Sequence, residues 1–296
     1  MENQEAKAHV IHFITILWMG LGVWGCVSVP ERGKSGNVPQ NQPVATETVP
    51  DRVSMTRSQI ESHLVLVSQL LEKGQDLDAL ELSLRLADEK HLVWQDLYRI
   101  SKSLGAGGHY QHVIQVLEKT TAMTQNNAAL LTFLCVSYEH YQFYKEAWMS
   151  CDRALRVSEE TQLVESSPQF YSQILLIAAK IAYQLQRDED VLRLVSTMRK
   201  HETHRCEAAY LEGKHYYRRS QIPKSIDALN QMAEGCQQKY PRSQLLLVLA
   251  LARQQKKSEA LTLIDKALAS DFGDQQVKVD MAKLRERLSA EEGLVR

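Results

Sequence analysis

From about residue 60 onward, apolar side chains recur every three or four positions with polar residues between them, the pattern of helices buried on one face. These helices come in pairs joined by short polar turns. One pair is plain: Leu131, Leu134, Cys135 and Tyr138 share a face of one helix, and Ala147, Cys151 and Ala154 share a face of the next. Two earlier stretches break the pattern. Residues 10–29 carry no charged side chain and are interrupted only by His12, Thr15 and Ser28. That run fits a cleaved signal peptide, a lipoprotein signal or a single membrane-spanning helix. Residues 26–57 hold Pro30, Pro39, Pro43 and Pro50, four of the seven prolines, among Gly, Ser, Asn, Gln and Thr. Such a segment buries too little apolar surface to offset its ordering entropy and reads as a flexible linker.

The spacings of the plain pair resemble those of the tetratricopeptide repeat, a 34-residue helix-turn-helix. In that motif small residues at positions 8, 20 and 27 let the two helices approach, and larger ones at 4, 7, 11 and 24 fill the space between them. Counting back 34 residues from Ala128 reaches Trp94, with Leu97, Ile100, Ser101, Leu104, Val113 and Leu117 in place. A further step reaches Ile60, with Leu66, Val67, Leu70, Gly74, Ala79 and Leu86. Downstream, about ten extra residues from Gln162 to Tyr171 include Ser166-Ser167-Pro168, a helix-start signal. The register resumes near Ser172, with Leu175, Ala178, Ala179, Ala182, Val191, Val195 and Met198. It continues from Cys206, with Ala209, Gly213, Tyr216, Ser225, Leu229 and Met232. After a one-residue slip it runs from Pro241, with Leu247, Val248, Leu251, Ala260, Ile264 and Ala267. The resemblance thus implies an all-α, right-handed superhelical solenoid of about six helix pairs, near 60–93, 94–127, 128–161, 172–205, 206–239 and 241–274, within an array spanning 58–274. Residues 275–296 form a charged amphipathic capping helix and tail, which such arrays need to cover their last apolar face.

Composition agrees with helix. The 296 residues include only 13 Gly and 7 Pro, and 44% are hydrophobic, enough for a sizeable core. Lys and Arg number 35 against 36 Asp and Glu, so bulk charge gives no drive toward nucleic acid. None of the five cysteines forms a C-x-x-C pair, so there is no zinc-ribbon or thioredoxin-like signal. His201, His204 and Cys206 offer three metal ligands at close spacing, but they lie in a turn without a fourth, and polar turn residues explain them better. No Gly-rich phosphate loop, G-x-S-x-G elbow or H-E-x-x-H is present. The chain therefore reads as no enzyme, with no cofactor, no metal and no small-molecule substrate.

In tetratricopeptide proteins the concave side is lined by positions 2, 5, 9, 12 and 13 of the first helix of each pair. Carried onto this sequence, the resemblance implies a partner-binding groove containing Tyr98 and Lys102, then Lys180 and Tyr183, then Tyr210, Lys214, Tyr217 and Arg218, then Arg242 and Arg253. In the last three units five basic groups stand against one acid, Glu207, in a chain that is neutral as a whole. The expectation is a groove that holds an extended or helical segment of a partner, with carboxylates on the cations and apolar side chains on the tyrosines. Cys206 and Cys236 fall at positions 1 and 31 of one unit, where the start of one helix neighbours the end of its mate. They can be bridged in an oxidising compartment and are otherwise buried thiols. Cys135 and Cys151, at positions 8 and 24, read as core residues rather than as a bridge.

Val23-Trp24-Gly25-Cys26 resembles the lipobox of bacterial lipoproteins, with residues 1–25 as the signal peptide and Cys26 as the lipid-attachment residue. Val27 after the cysteine, by the same resemblance, favours the outer membrane. The whole resembles tetratricopeptide lipoproteins of bacterial envelopes: outer-membrane assembly subunits, type IV pilus pilotins and adaptors for peptidoglycan hydrolases. The resemblance implies a lipid-anchored periplasmic scaffold whose groove holds other envelope proteins. Two alternatives stay open. Arg32 and Lys34 follow the apolar run while only Lys7 precedes it, so a true spanning helix would face the repeats to the cytoplasm as an adaptor. The other is a peptidoglycan-active envelope protein.

Overall fold

The structure, a computed structural model, describes residues 54–200, 204–232, 236, 240–270 and 274–293. Among them lie fifteen helices and no strand. The signal peptide, Cys26 and nearly all of the linker fall outside the described residues, as does His201. Among the described residues no helix is long and apolar enough to cross a membrane.

The chain divides at Thr124/Gln125 into two compact bodies. The first holds α1 (Arg57–Glu72), α2 (Asp76–Leu86), α3 (Trp94–Ala106), α4 (Tyr110–Lys119) and the short α5 (Thr121–Thr124). α1 pairs with α2 and α3 with α4, and the two pairs stack through α1 against α3 and α2 against α4. A capping box starts α1: the Gln59 N–H donates to Thr56 Oγ1 at 3.3 Å, and the Thr56 N–H donates to Gln59 Oε1 at 2.8 Å. Asp96 is wholly buried at the first turn of α3. It accepts two bonds from the Arg57 guanidinium, at 2.5 and 2.8 Å, and one from the Val93 N–H at 3.1 Å, so a single carboxylate ties α1 to the start of α3.

The second body holds α6 (Ala128–His140), α7 (Tyr144–Glu160), α8 (Leu163–Ser166), α9 (Pro168–Gln184), α10 (Asp188–Arg199), α11 (Arg205–Arg218), α12 (Ile222–Asn230), α13 (Pro241–Arg253), α14 (Lys257–Ala269) and α15 (Gln275–Gly293). Pairs form between α6 and α7, α9 and α10, α11 and α12, and α13 and α14. Each second helix packs on the first helix of the next pair, and first helices pack on one another from α9 through α11 and α13 to α15. This is the stacking of a solenoid, in which each pair covers the apolar face its neighbour leaves open. The Asn127 side chain caps α6, accepting from the Ala129 and Leu130 N–H groups at 3.0 and 3.1 Å. Pro168 begins α9 and Pro241 begins α13, where a missing N–H costs nothing. The ten extra residues thus become α8 and the first turn of α9, so that helix starts four residues before the repeat register resumes. α15 closes the array by burying Val277, Met281 and Leu288 in the cluster of Leu247, Val248, Leu251 and Ile264.

Position 15 of every pair turns left-handed. Gly74, Gly108, Gln142, Gln186, Ser220 and Gln255 all have φ between 55° and 80°, and they stand 34 residues apart except across the insertion and the slip. At each turn the N–H of the following residue donates to the carbonyl of position 11. Gln75 to Leu70, His109 to Leu104, Phe143 to Tyr138, Arg187 to Ala182, Gln221 to Tyr216 and Lys256 to Leu251 all lie at 2.9–3.0 Å. One Schellman-type cap therefore ends the first helix and launches the second in all six pairs. The repeat is written in backbone geometry as well as in side-chain pattern.

Side chains at the repeat positions follow the register with one departure. Ser101, Cys135, Ala179, Gly213 and Val248 at position 8 are buried, as are Ala79, Val113, Ala147, Val191, Ser225 and Ala260 at position 20. Leu66, in register at position 7 of the first pair, is 40% exposed, because no helix among the described residues precedes α1 to cover it.

Candidate partner-binding groove

Of the ten side chains expected in the groove, eight lie on α9, α11 and α13 of the second body, which pack in that order. Tyr98 and Lys102 lie on α3 of the first body, both half-buried. Burial pushes the Tyr98 phenol up to about 12.

Tyr183 on α9 is the centre of a cation cluster. The Arg218 guanidinium carbon sits 3.9 Å and the Lys214 ammonium 4.6 Å from its ring centroid. The periodicity explains the meeting: Lys214 and Arg218 are four apart on α11 and so share one face, which turns toward the last turn of α9. Arg218 is committed within the fold. Its Nη1 donates to the Tyr183 carbonyl at 2.5 Å, and its Nη2 donates to Asp188 Oδ1 at 3.3 Å. Asp188 also pairs with Arg219. Arg253 stacks 5.6 Å over the Tyr217 ring and donates to Ser220 Oγ at 3.1 Å. Arg242, largely exposed, has Nε 3.6 Å from Asp274 Oδ2.

Lys214 differs from these. It is half-buried, and among the described residues no carboxylate lies within ion-pair reach. Burial first, and then the charges of Arg218 and Arg242, hold its ammonium below the usual lysine range. The protein has thus gathered positive charge around one partly desolvated cation without supplying the anion. Deeper along the same face, burial pushes the Glu139 carboxyl of α6 up, and the Lys180 charge pulls it back. Burial also depresses Lys180, against the raising charges of Glu139 and Glu207. Burial outweighs their mutual attraction at both groups, so Lys180 contributes less to an external anion than the sequence count suggests.

Glu207, the one acid expected among the groove cations, is turned into the α11–α13 junction and buried. It accepts from the Tyr240 hydroxyl and lies 3.6 Å from His204 Nδ1. Burial raises its pKa, but the neighbouring His204 and the bond from Tyr240 outweigh that, so it stays below the usual carboxylate range. The groove is therefore more one-sidedly positive at Lys214 than the position count implied.

Beside this cluster opens a cleft of about 260 Å³. Tyr210, Lys214 and Arg242 form one side, and Leu245, Leu246 and Leu249 of α13 the floor. The far side comes from Asp274, Gln276, Val277 and Asp280, at the start of the helix that the sequence marks only as a cap. Asp274 caps α15 by accepting from the Val277 N–H at 3.2 Å. No motif announces these four residues; they become groove residues only because α15 docks on α13. Such a surface, an unpaired cation beside an aliphatic floor, suits a peptide with an acidic and an aliphatic side chain.

Four of the five cysteines are bonded in two pairs, one joining the two helices of a hairpin and one joining α11 to the segment beyond α12. Cys206 of α11 and Cys236 after α12 have Cα atoms 5.4 Å apart. The Cys206 sulfur is thereby unavailable as a thiolate ligand, and among the described residues no group of three His, Cys, Asp or Glu is placed to hold a metal. Cys135 of α6 and Cys151 of α7 are fully buried, as a core reading requires, yet they are also bridged, with Cα atoms 5.3 Å apart. Positions 8 and 24 face each other across the closest approach of a helix pair, so two cysteines there fall within bonding distance.

No protein-family profile matches the sequence, and no curated protein matches it. Solved structures are similar at low identity. The crystal structure of YrrB, described as a TPR protein with an unusual peptide-binding site, is 14% identical with a TM-score of 0.49, over 64% of this chain and 91% of that one. A crystal structure of MamA is 17% identical with a TM-score of 0.49, over 64% of this chain and 93% of that one. PilF of Pseudomonas aeruginosa is 12% identical with a TM-score of 0.49, over 76% of this chain and 98% of that one. The helix-pair architecture is carried by this chain's own register, caps and packing.

Proposed function

We propose that this protein is a non-enzymatic scaffold for protein–protein interaction in the bacterial envelope. It is tethered by lipid at Cys26 through the linker of residues 26–57, faces the periplasm, and assists assembly of an envelope complex. Outer-membrane protein assembly, pilus or secretin assembly, and hydrolase recruitment all suit such a role. The observation that carries the binding reading is Lys214: half-buried, flanked by Arg218 and Arg242, and unpaired. A carboxylate from a partner segment would complete it, and charge-assisted hydrogen bonds of that kind contribute about 1.5–3 kcal/mol. Two disulfides in one repeat array support an exported location, since such bonds persist in oxidising compartments and are rare in the cytosol. They count against the alternative of a membrane-spanning anchor with repeats in the cytoplasm.

Lys214→Glu tests the reading more cleanly than any change at Arg218, whose guanidinium also holds the Tyr183 carbonyl. A partner recovered by crosslinked pulldown from intact envelopes is titrated against the wild type and the variant. At least a tenfold loss of affinity is expected, equivalent to about 1.4 kcal/mol. An unchanged affinity refutes the groove.

A further inference from the structure

We propose that α15 is the second wall of the binding site and supplies, through Asp280, the carboxylate that selects a basic residue in the bound segment, in addition to covering the apolar end of the array. The inference rests on the groove reading and extends it. The cleft beside Lys214 is lined from α15 by Val277 and Asp280 and from α13 by Leu245 and Leu249. Asp280 accepts one bond, from Gln276 Nε2 at 2.9 Å, and no cation among the described residues pairs with it. Lys214, on the opposite element, has no anion. An ordinary protein surface satisfies such charges against each other or against neighbours on their own helix, as Arg242 and Asp274 do at the rim of this same cleft.

Two unpaired charges of opposite sign, separated by aliphatic side chains, define a complementary occupant. It is a peptide segment with an acidic residue for Lys214, a branched aliphatic residue over Leu245 and Leu249, and a basic residue for Asp280. A segment that presents an acidic residue to Asp280 places like beside like there, which costs affinity where the charges are partly desolvated. The site thus selects charge at both ends of the aliphatic residue, and one of the selecting residues is on the helix that lies outside the repeats.

A random dodecapeptide phage library panned on the immobilised full chain tests this. The enriched peptides are then synthesised and titrated against wild type, Asp280→Lys, Asp280→Asn and Lys214→Glu, with folding checked by helical circular dichroism. Enriched peptides are expected to carry an acidic and a basic residue on opposite sides of Leu, Ile or Val. Asp280→Lys should weaken them at least tenfold and Asp280→Asn by less, and repanning on Asp280→Lys should replace the basic residue by an acidic one. If the peptides depend on Lys214 but show no basic preference and bind Asp280→Lys unchanged, the role of α15 is overturned while the groove reading stands. If nothing enriches, or Lys214→Glu is also without effect, both fall.

Discussion

At position 15 of each helix pair a single residue accepts a left-handed backbone so that the chain can reverse. Gly74 and Gly108 do this without strain, but Gln142, Gln186, Ser220 and Gln255 do it with a Cβ. For a residue with a side chain that conformation costs about 1–2 kcal/mol, partly offset in a glycine variant by the freer unfolded chain. Gln142→Gly and Gln186→Gly should therefore each raise stability in urea by about 0.5–1 kcal/mol, whereas glycine at an ordinary helical position should lower it. The opposite demand holds at Gly213, where α11 crosses α12. A Cβ there would lie 2.6 Å from Leu229 Cγ, and the Gly213 carbonyl accepts from Ser225 Oγ at 2.8 Å. Gly213→Ala must push the two helices apart and should cost about 1–3 kcal/mol in denaturant melts. Gly213 was legible as a small residue at position 8. The four left-handed residues without glycine were not, because Gln and Ser carry no signal for positive φ, and only the recurring cap reveals what they share.

Between residue and molecule, the helix hairpin is the element that repeats, and the two disulfides act at this scale. One ties α6 to α7 and the other ties α11 to Cys236 beyond the end of α12, closing separations of 16 and 30 residues. Cross-links of that span stabilise by about 3 kcal/mol, chiefly by restricting the unfolded chain. Alkylation of the denatured, unreduced protein should leave Cys135, Cys151, Cys206 and Cys236 unmodified, and the Cys135→Ser/Cys151→Ser double variant should lose about 3 kcal/mol. Alkylation of these four would contradict the pairing. Which cysteines meet was only half legible: the neighbours at a hairpin's open end follow from antiparallel packing. A pair at positions 8 and 24 looks like ordinary core until the helices are brought to contact. The start of α9 shows a similar limit. Ser166-Ser167-Pro168 marks the helix start, but the added first turn and α8 arise from packing that the 34-residue register does not encode.

For the molecule, pairs stacked through their first helices line up one face of the second body, and the account assigns partner binding to that face. The cations of α9, α11 and α13 were readable from position numbers alone because the repeat makes position a proxy for direction. Their separate fates were not readable. Arg218 is spent on a carbonyl, Arg253 on a hydroxyl, and burial depresses Lys180 beside Glu139, so among the described groove cations Lys214 stands out as half-buried with no carboxylate in ion-pair reach. The α15 wall was invisible for a different reason, since a helix outside the register has no position number to translate. The most direct measurement is photo-crosslinking in intact cells, with benzoylphenylalanine placed singly at Leu249 in the cleft and at Met149, which is 70% exposed on α7. A discrete adduct is expected from Leu249 that disappears when Lys214→Glu is added, and none from Met149. Adducts from Met149 alone, or a Leu249 adduct indifferent to Lys214→Glu, would contradict the groove assignment.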